Sequence, residues 1–323
     1  SCKNISGSHR NFYSYPYSIW FFMLNDYLLT IISNIGMISL IALSAYLLLI
    51  TGEISFGQQA YFGISAYSGA IATTLWGWPF WIALLFGSFL AAIAAGVVSA
   101  LTVRISGLYF SIATLAFSEM VRLSLLKFSY QKEIDGELVG PNGAEGFGEI
   151  RWIFENNISV FQYTLLIYLI LFLVLICLLL IERSGLGMIF RMLGQDPMLT
   201  RVQGLNTVIY KVIAAVLAGF IAGLGGMLYA HSLTFIEPQI FNVMLGVHSL
   251  AYGLIGGLGT VFGPLIGVAL DIGFLESIRV IHGYRMIVFG GLVALMLIFM
   301  PRGVLDENRV YRLRLALRNW FRV

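Results

Sequence analysis

Charged residues are scarce in this sequence. Only 11% of the 323 residues are Asp, Glu, Lys or Arg, which is less than half the share of about 25% found in typical soluble domains. The 19 basic and 16 acidic side chains are too few to cover a soluble globule of this length. Hydrophobic residues make up 59% of the chain, and this excludes intrinsic disorder, because disordered chains are poor in apolar residues. The composition therefore predicts an integral membrane protein.

The sequence also has only two cysteines, and it contains no nucleotide-binding motif or catalytic cluster. Cys2 and Cys177 provide neither a disulfide framework nor a metal-ligand spacing. The glycine-rich stretch 253–263 does not end in the Lys-Ser/Thr pair of a phosphate-binding P-loop. We therefore expect a chain that is not an enzyme, with no catalytic residues, no metal site, no cofactor and no nucleic-acid partner.

Long uncharged stretches occupy much of the chain. Residues 27–52 and 54–103 contain no charge, and 156–181 form a very apolar run. A helix needs about 20 apolar residues to cross a bilayer core about 30 Å thick. The sequence predicts an all-α, polytopic transmembrane helical bundle with about eight membrane segments, two of them short and glycine-rich within 240–282. The expected parts are a polar, interfacial N-terminal segment (1–26), a transmembrane domain (27–303) and a basic tail (304–323).

The distribution of basic residues predicts the topology. Residues 182–211 contain four bases and two acids, and residues 302–323 contain six arginines and two acids. The loop 128–157 instead contains six acids and two bases. Because loops rich in Lys and Arg stay on the cytoplasmic side, we expect 182–211 and the C-terminus in the cytoplasm and 128–157 outside.

Polar residues interrupt the apolar stretch 54–103 near its start. They are Ser55, Gln58, Gln59 and Ser65. Unpaired polar groups are costly in hydrocarbon, so these side chains should face the bundle interior or a water-filled path. Two roles are open: they line a transport pathway, or they hold helices together through interhelical hydrogen bonds.

Few charges lie inside the predicted spans. Glu119 and Arg122 are three residues apart and can form an ion pair on one helix face. Asp271, Glu276 and Arg279 form a second sparse set. Charge within a membrane indicates function by default, and the alternative is a structural ion pair or snorkelling to the interface. We interpret Glu119 and Arg122 as a structural ion pair.

Glycine recurs every four residues at Gly259, Gly263 and Gly267. Glycines at this interval let helix backbones approach closely, while interrupted hydrophobic segments can also mark sites at the membrane midplane. We favour helix packing for these three glycines.

The segment 185–206 is moderately polar and lies on the predicted cytoplasmic side. Asp196 suits the N-cap of a short helix and Pro197 its first turn. The apolar residues Met198, Leu199 and Val202 would share one face of that helix. Such a helix offers a surface to a soluble partner, and the alternative is an ordinary interfacial connector.

From about Asn25 to Gly303 the chain resembles the permease subunits of bacterial ABC importers for branched-chain amino acids, of the LivM type. The stretches that carry the resemblance are Gly52-x-x-Ser55-x-Gly57, Arg104-x-x-Gly107-x-Tyr109, Glu119-x-x-Arg122, residues 187–206, Gly256-Gly257-Leu258-Gly259-Thr260 and Met300-Pro301-Arg302-Gly303.

The resemblance implies a multi-pass permease of the bacterial inner membrane, surrounded by lipid. Its implied partners are a second homologous permease, two cytoplasmic ABC ATPases and an extracytoplasmic solute-binding protein. The implied substrates are branched-chain amino acids or related small amino acids and amides. The residues implied in ATPase coupling are Arg191, Gln195, Asp196, Pro197, Leu199, Arg201 and Gly204.

Two other classes of function remain as alternatives. An ion-coupled secondary transporter or channel would use Glu119, Asp271 or Glu276 as its ion relay and would need no ATPase. A membrane scaffold would transport nothing. Because the chain has no nucleotide-binding motif, ATP-driven transport requires hydrolysis in separate subunits.

Overall fold

The structure is a computed structural model and describes residues 16–102, 104–105, 107–134, 136–275, 285–300 and 303–305. Most of these residues are helical. Two members of the second charged set, Glu276 and Arg279, lie outside the described residues, as does nearly all of the expected tail 304–323.

Within the described residues, five helices are long and apolar enough to cross a membrane. They are α1 (Pro16–Leu49), α3 (Phe80–Thr102), α4 (Leu108–Lys127), α6 (Val160–Arg183) and α9 (Thr207–Leu233). Four shorter helices accompany them: α2 (Gln58–Thr74), α10 (Val243–Gly256), α11 (Gly263–Val268), which continues as a π-helix through Ala269–Leu275, and α12 (Arg285–Phe299). The polytopic bundle is confirmed, and in the described part the five long spans are joined by three shorter apolar helices, all but α2 of the four.

The first helix starts earlier than the sequence predicts. An interfacial segment is expected up to residue 26, but α1 runs without a break from Pro16. Proline suits the first turn of a helix, and no glycine or further proline follows until Gly36. Residues 16–24 therefore extend the first helix, whose candidate membrane span is Tyr27–Leu49.

Helix α9 lies at the centre of the bundle and packs on α1, α2 and α3. Its contact surface is rich in small residues, since Ala214, Ala218 and Ala222 are all buried without exposed area. Small side chains let neighbouring helix backbones approach closely. The core between α1, α6 and α9 is filled by larger apolar side chains, among them Leu40, Leu43 and Ile167.

The loop 128–157 is folded. Strands β1 (Lys132–Ile134) and β2 (Glu137–Val139) form an antiparallel hairpin, followed by a 3₁₀ turn (Gly143–Glu145) and the short helix α5 (Trp152–Glu155). Backbone hydrogen bonds in both directions join Phe147 to Ile236, beyond the end of α9. Both side chains are fully buried, so this loop is fastened to one end of the bundle, here named the hairpin end.

The opposite end carries helices α7 (Gly185–Gln195) and α8 (Pro197–Val202) and is named the α7–α8 end. Residues 50–53, 257–259 and 303–305 meet there through hydrogen bonds and close backbone contacts. The loops that the charge pattern predicts on one side of the membrane are therefore grouped at one end of the bundle.

Candidate functional site

Helix α8 forms as the sequence predicts, and Asp196 lies at its junction with α7, a helix that was not predicted. The Asp196 Oδ1 atom accepts hydrogen bonds from the backbone N–H groups of Met198 at 2.8 Å and Leu199 at 3.0 Å. Pro197 occupies the first turn of α8. A capping carboxylate satisfies donors that have no partner within the helix, so Asp196 acts on the local fold of this segment.

Helix α7 is anchored to the bundle. Phe190 and Leu193 are fully buried. At Gly194, a Cβ atom would collide with the carbonyl oxygen of Ile50 at the end of α1. Only a glycine permits this backbone approach, so α7 lies directly against the end of the first span.

Arg191 points into the chain. Its Nη2 atom lies 2.9 Å from Glu182 Oε1 and donates to the Gly259 carbonyl at 3.3 Å, while Nη1 donates to the Leu258 carbonyl at 3.4 Å. Tyr46 of α1 donates its hydroxyl to the same Glu182 oxygen. Arg191 therefore links α7 to α1, α6 and the α10–α11 connection, and the sequence alone gave no signal for these partners.

The remaining predicted coupling residues lie between the end of α7 and the start of α9. Arg201 Nε donates to Thr207 Oγ1 at 2.9 Å and so ties α8 to the start of α9. Gly204 turns the chain between these helices with φ of 83°. Gln195 is exposed.

Helix α8 presents an uncovered apolar surface. Met198, Leu199 and Val202 are 69%, 56% and 82% exposed, and their spacing places them on one helix face. We name these three residues the α8 patch. Completely burying an apolar side chain of this size stabilises a contact by about 1.5–3 kcal/mol. The patch is therefore suited to dock onto another protein.

A buried ion pair that the sequence reasoning missed lies beside this segment. Lys211 of α9 pairs with Glu53 in the α1–α2 connection. The second carboxylate oxygen of Glu53 is buried and has no hydrogen-bond partner among the described residues. The available signal was that Glu53 is the sole charge between residues 27 and 103.

The polar residues at the start of α2 are all buried within this chain. Gln59 Nε2 donates to Ser118 Oγ of α4 at 2.8 Å, which supports the helix-contact role for Gln59. Ser65 faces α3, where its hydroxyl lies next to Gly87. Ser55 Oγ accepts a hydrogen bond from the backbone N–H of Gly57, two residues later, at 3.2 Å.

Several polar atoms of this set are buried without a hydrogen-bond partner among the described residues. They are both amide atoms of Gln58, Gln59 Oε1 and Ser65 Oγ. Ser65 faces α3 and Gln59 faces α4. A pathway-lining role for them stays a prediction.

The predicted pair on α4 forms. Arg122 Nε lies 2.8 Å from Glu119 Oε2, and Arg122 Nη1 donates to Gln239 Oε1 at 3.2 Å. Gln239 belongs to the 3₁₀ turn Pro238–Phe241 at the start of α10. The ion pair therefore forms part of a polar edge between α4 and this turn.

Two of the three predicted packing glycines lie between helices. A Cβ at Gly267 would collide with the Tyr252 carbonyl of α10, and one at Gly263 with the Gly257 carbonyl. Gly259 lies in the turn between α10 and α11, where its N–H donates to the Leu305 carbonyl at 3.1 Å. The helix-packing role therefore applies to Gly263 and Gly267, while Gly259 belongs to the connection.

The chain is thus a polytopic helical membrane protein with an anchored, partly uncovered helix pair at one end. A family described as the permease component of branched-chain amino acid transport systems matches residues 27–301. The chain belongs to this family, whose members are transport permeases and not enzymes.

Several relatives of known function are similar over much of the chain. The high-affinity branched-chain amino acid transport system permease protein LivM of Escherichia coli is 30% identical over 283 residues, covering 80% of this chain and 65% of LivM. BraD of Pseudomonas aeruginosa, named for the same kind of transport, is 32% identical over 48% of this chain and 51% of its own length. The guanosine ABC transporter permease NupQ of Bacillus subtilis is 23% identical over 72% of this chain and 74% of NupQ. No solved structure matches the chain.

Proposed function

We propose that this chain is a permease subunit of an ATP-driven importer. Together with a second homologous permease it forms the translocation path for branched-chain amino acids or related small amino acids and amides. Two cytoplasmic ATPases dock at the α7–α8 end, and an extracytoplasmic solute-binding protein delivers the solute at the hairpin end. In this orientation the C-terminus is cytoplasmic.

The α8 patch carries this proposal. It combines three exposed apolar side chains with a rigid attachment, because α7 is held by buried Phe190 and Leu193. A soluble motor can act on a membrane bundle only through a contact that transmits force. An apolar surface on an anchored helix supports such a contact, whereas a loose interfacial connector would not need the anchor.

The attachment also supports a mechanism. Movement of the ATPases would displace α7 and α8, and the Arg191 contacts would carry this displacement to α1, α6 and the α10–α11 connection. Packed helices shift as rigid bodies and do not deform continuously. The bundle would therefore rock as a unit around the path.

Leu199→Asp tests the docking. The substitution removes about 1.5 kcal/mol of apolar burial, which is roughly tenfold in affinity, and also places a charge in the contact. We expect the purified permease complex to lose its ATPase subunits while the chain still inserts. Leu138→Asp is the matched control, since Leu138 is 69% exposed at the hairpin end. Normal ATPase retention by Leu199→Asp, or equal loss in both variants, contradicts the coupling role.

Vesicle uptake tests the energy source and the substrate class. We expect uptake of leucine to require ATP inside the compartment that contains the ATPases, and not to follow an ion gradient alone. Guanosine is the second solute to be tested, because the guanosine permease NupQ is similar to this chain. Two of the three candidate ion-relay residues have partners within the described part of the chain: Glu119 is paired with Arg122, and Asp271 accepts a hydrogen bond from the Tyr252 hydroxyl at 2.7 Å.

A further inference from the structure

Helix α2 begins inside the bundle and not at its α7–α8 end. Residues 53–57, which precede it, are not helical, and the Ile54 carbonyl accepts a hydrogen bond from Ser111 Oγ of α4 at 2.7 Å. The Phe56 N–H donates to Thr114 Oγ1 at 3.0 Å, six residues after the start of α4, which is about 9 Å along that helix. Non-helical backbone at such a depth in a membrane is tolerated only where protein buries it or where it lines a water-filled cavity.

The start of α2 lies between α4 and α10. Gln59 Nε2 donates to Ser118 Oγ at 2.8 Å, ten residues after the start of α4 and so about 15 Å along it. On the other side, a Cβ at Gly246 of α10 would collide with Gln59 Oε1. This depth is near the middle of a hydrocarbon core about 30 Å thick, and Gln59 is fully buried there. The start of α2 therefore faces the interior of the protein and not lipid.

No side chain caps the start of α2. Its N-cap is Gly57, which has no side chain to accept a hydrogen bond. The first N–H groups of a helix have no partner within the helix, and the helix dipole places partial positive charge at this end. An uncapped helix start at this depth therefore suits a group with negative charge.

Gln58 gives an independent indication of a ligand. It is the first residue of α2 and is fully buried, and both atoms of its amide lack a hydrogen-bond partner in the described part of the chain. Cα–Cβ bonds in a helix tilt toward its N-terminus, so this side chain leaves the helix toward the uncapped end. Buried polar side chains in folded proteins are nearly always hydrogen-bonded. The partner of the Gln58 amide is therefore a group that the described residues do not supply.

We propose that the start of α2, together with the Gln58 amide, binds the carboxylate of an amino-acid solute during its passage. This inference rests on the proposed function and adds the group of the solute that this chain recognises. Backbone N–H groups of the first turn and Nε2 of Gln58 donate to the carboxylate oxygens. Interrupted helices near the membrane midplane present their N-termini to anionic solute groups in this way. Because Gln58 is fully buried here, the site is closed in this structure and opens to the solute when the bundle rocks.

Gln58→Met tests this site in vesicles that contain the complete importer. Methionine has a similar length and removes both amide atoms. We expect leucine uptake per ATP hydrolysed to fall at least tenfold, while the thermal unfolding midpoint of the purified complex does not fall, because no unpartnered amide remains. Ser44→Ala is the matched control, since Ser44 Oγ in α1 is also buried without a partner among the described residues, and it should leave uptake unchanged.

Three results of this comparison overturn the assignment. Normal uptake by Gln58→Met means that the amide holds water only. A lowered midpoint means that the amide supports the fold. An equal loss of uptake in Ser44→Ala means that the effect is not specific to the start of α2.

A solute analogue tests the carboxylate directly. L-Leucinol keeps the side chain and amine of leucine and has a hydroxymethyl group in place of the carboxylate. In the purified complex without its binding protein, we expect radiolabelled leucine to bind and leucinol to compete at least tenfold more weakly than unlabelled leucine. Gln58→Met should bind leucine at least tenfold more weakly. Equal competition by leucinol, or no leucine binding by the unmodified complex, contradicts a carboxylate site.

Uptake by the unmodified importer keeps the two proposals separate. If its vesicles take up no leucine when ATP is supplied, the proposed function fails. If they take up leucine and the Gln58→Met vesicles do so equally well, the site at the start of α2 is wrong and the importer function stands.

Discussion

The buried ion pair between Glu53 and Lys211 leads to a quantitative prediction. The side chains of Glu53 and Lys211 are only 7% and 14% exposed. Lys211→Met leaves the Glu53 carboxylate buried without a base, and breaking a buried pair in this way costs about 3–5 kcal/mol. Glu53→Gln/Lys211→Met removes both charges together. We expect the double variant to be more stable than Lys211→Met, because it contains no unpaired buried charge.

Thermal unfolding of the purified protein in detergent measures this order. The expected midpoint temperatures fall from the unchanged protein to the double variant and then to Lys211→Met. Lys132→Met is the matched control, since Lys132 is exposed on the β1–β2 hairpin, and it should leave the midpoint nearly unchanged. The reasoning is refuted if Lys211→Met behaves as the control does, or if the double variant is the least stable of the set.

Two further predictions concern the α7–α8 end and the glycine tract. Arg191→Ala should keep the ATPases bound, because the α8 patch is intact. It should lower the amount of solute transported per ATP hydrolysed severalfold, and Arg191→Lys should recover part of this loss. An unchanged ratio of transport to hydrolysis in reconstituted vesicles would contradict the prediction. Gly267→Ala should prevent recovery of folded protein on size-exclusion chromatography, because its Cβ meets the Tyr252 carbonyl. Gly290→Ala, which meets nothing within 4 Å, should be recovered normally, and equal yields would show that the close approach is unimportant.

Features set by neighbouring residues could be predicted from the sequence. The Asp196 cap and the Glu119–Arg122 pair each depend on groups two or three residues apart, and both form as expected. The long membrane spans could also be predicted from the sequence, because their length and apolar composition identify them. The start of α1 at Pro16 was not predicted, because hydropathy separates residues 16–24 from the span that follows. The continuity of a helix depends instead on the absence of a helix-breaking residue.

Contacts between distant parts of the chain could not be predicted. Glu53 and Lys211 are 158 residues apart, and the partners of Arg191 include two backbone carbonyls, which leave no signature in a side-chain pattern. Gly259 shares its four-residue spacing with Gly263 and Gly267 but lies in a turn. The spacing is helical, yet it does not fix where a helix begins.

The positions of the charges argue for movement of the bundle as one body. Arg191 connects α7 with α1, α6 and the α10–α11 connection, and the Glu53–Lys211 pair connects the α1–α2 connection with α9. A displacement of α7 that left the other helices in place would have to break contacts in which charged groups are largely buried, and such groups are costly to leave unpaired. The less costly response is a rotation of the bundle that keeps these contacts.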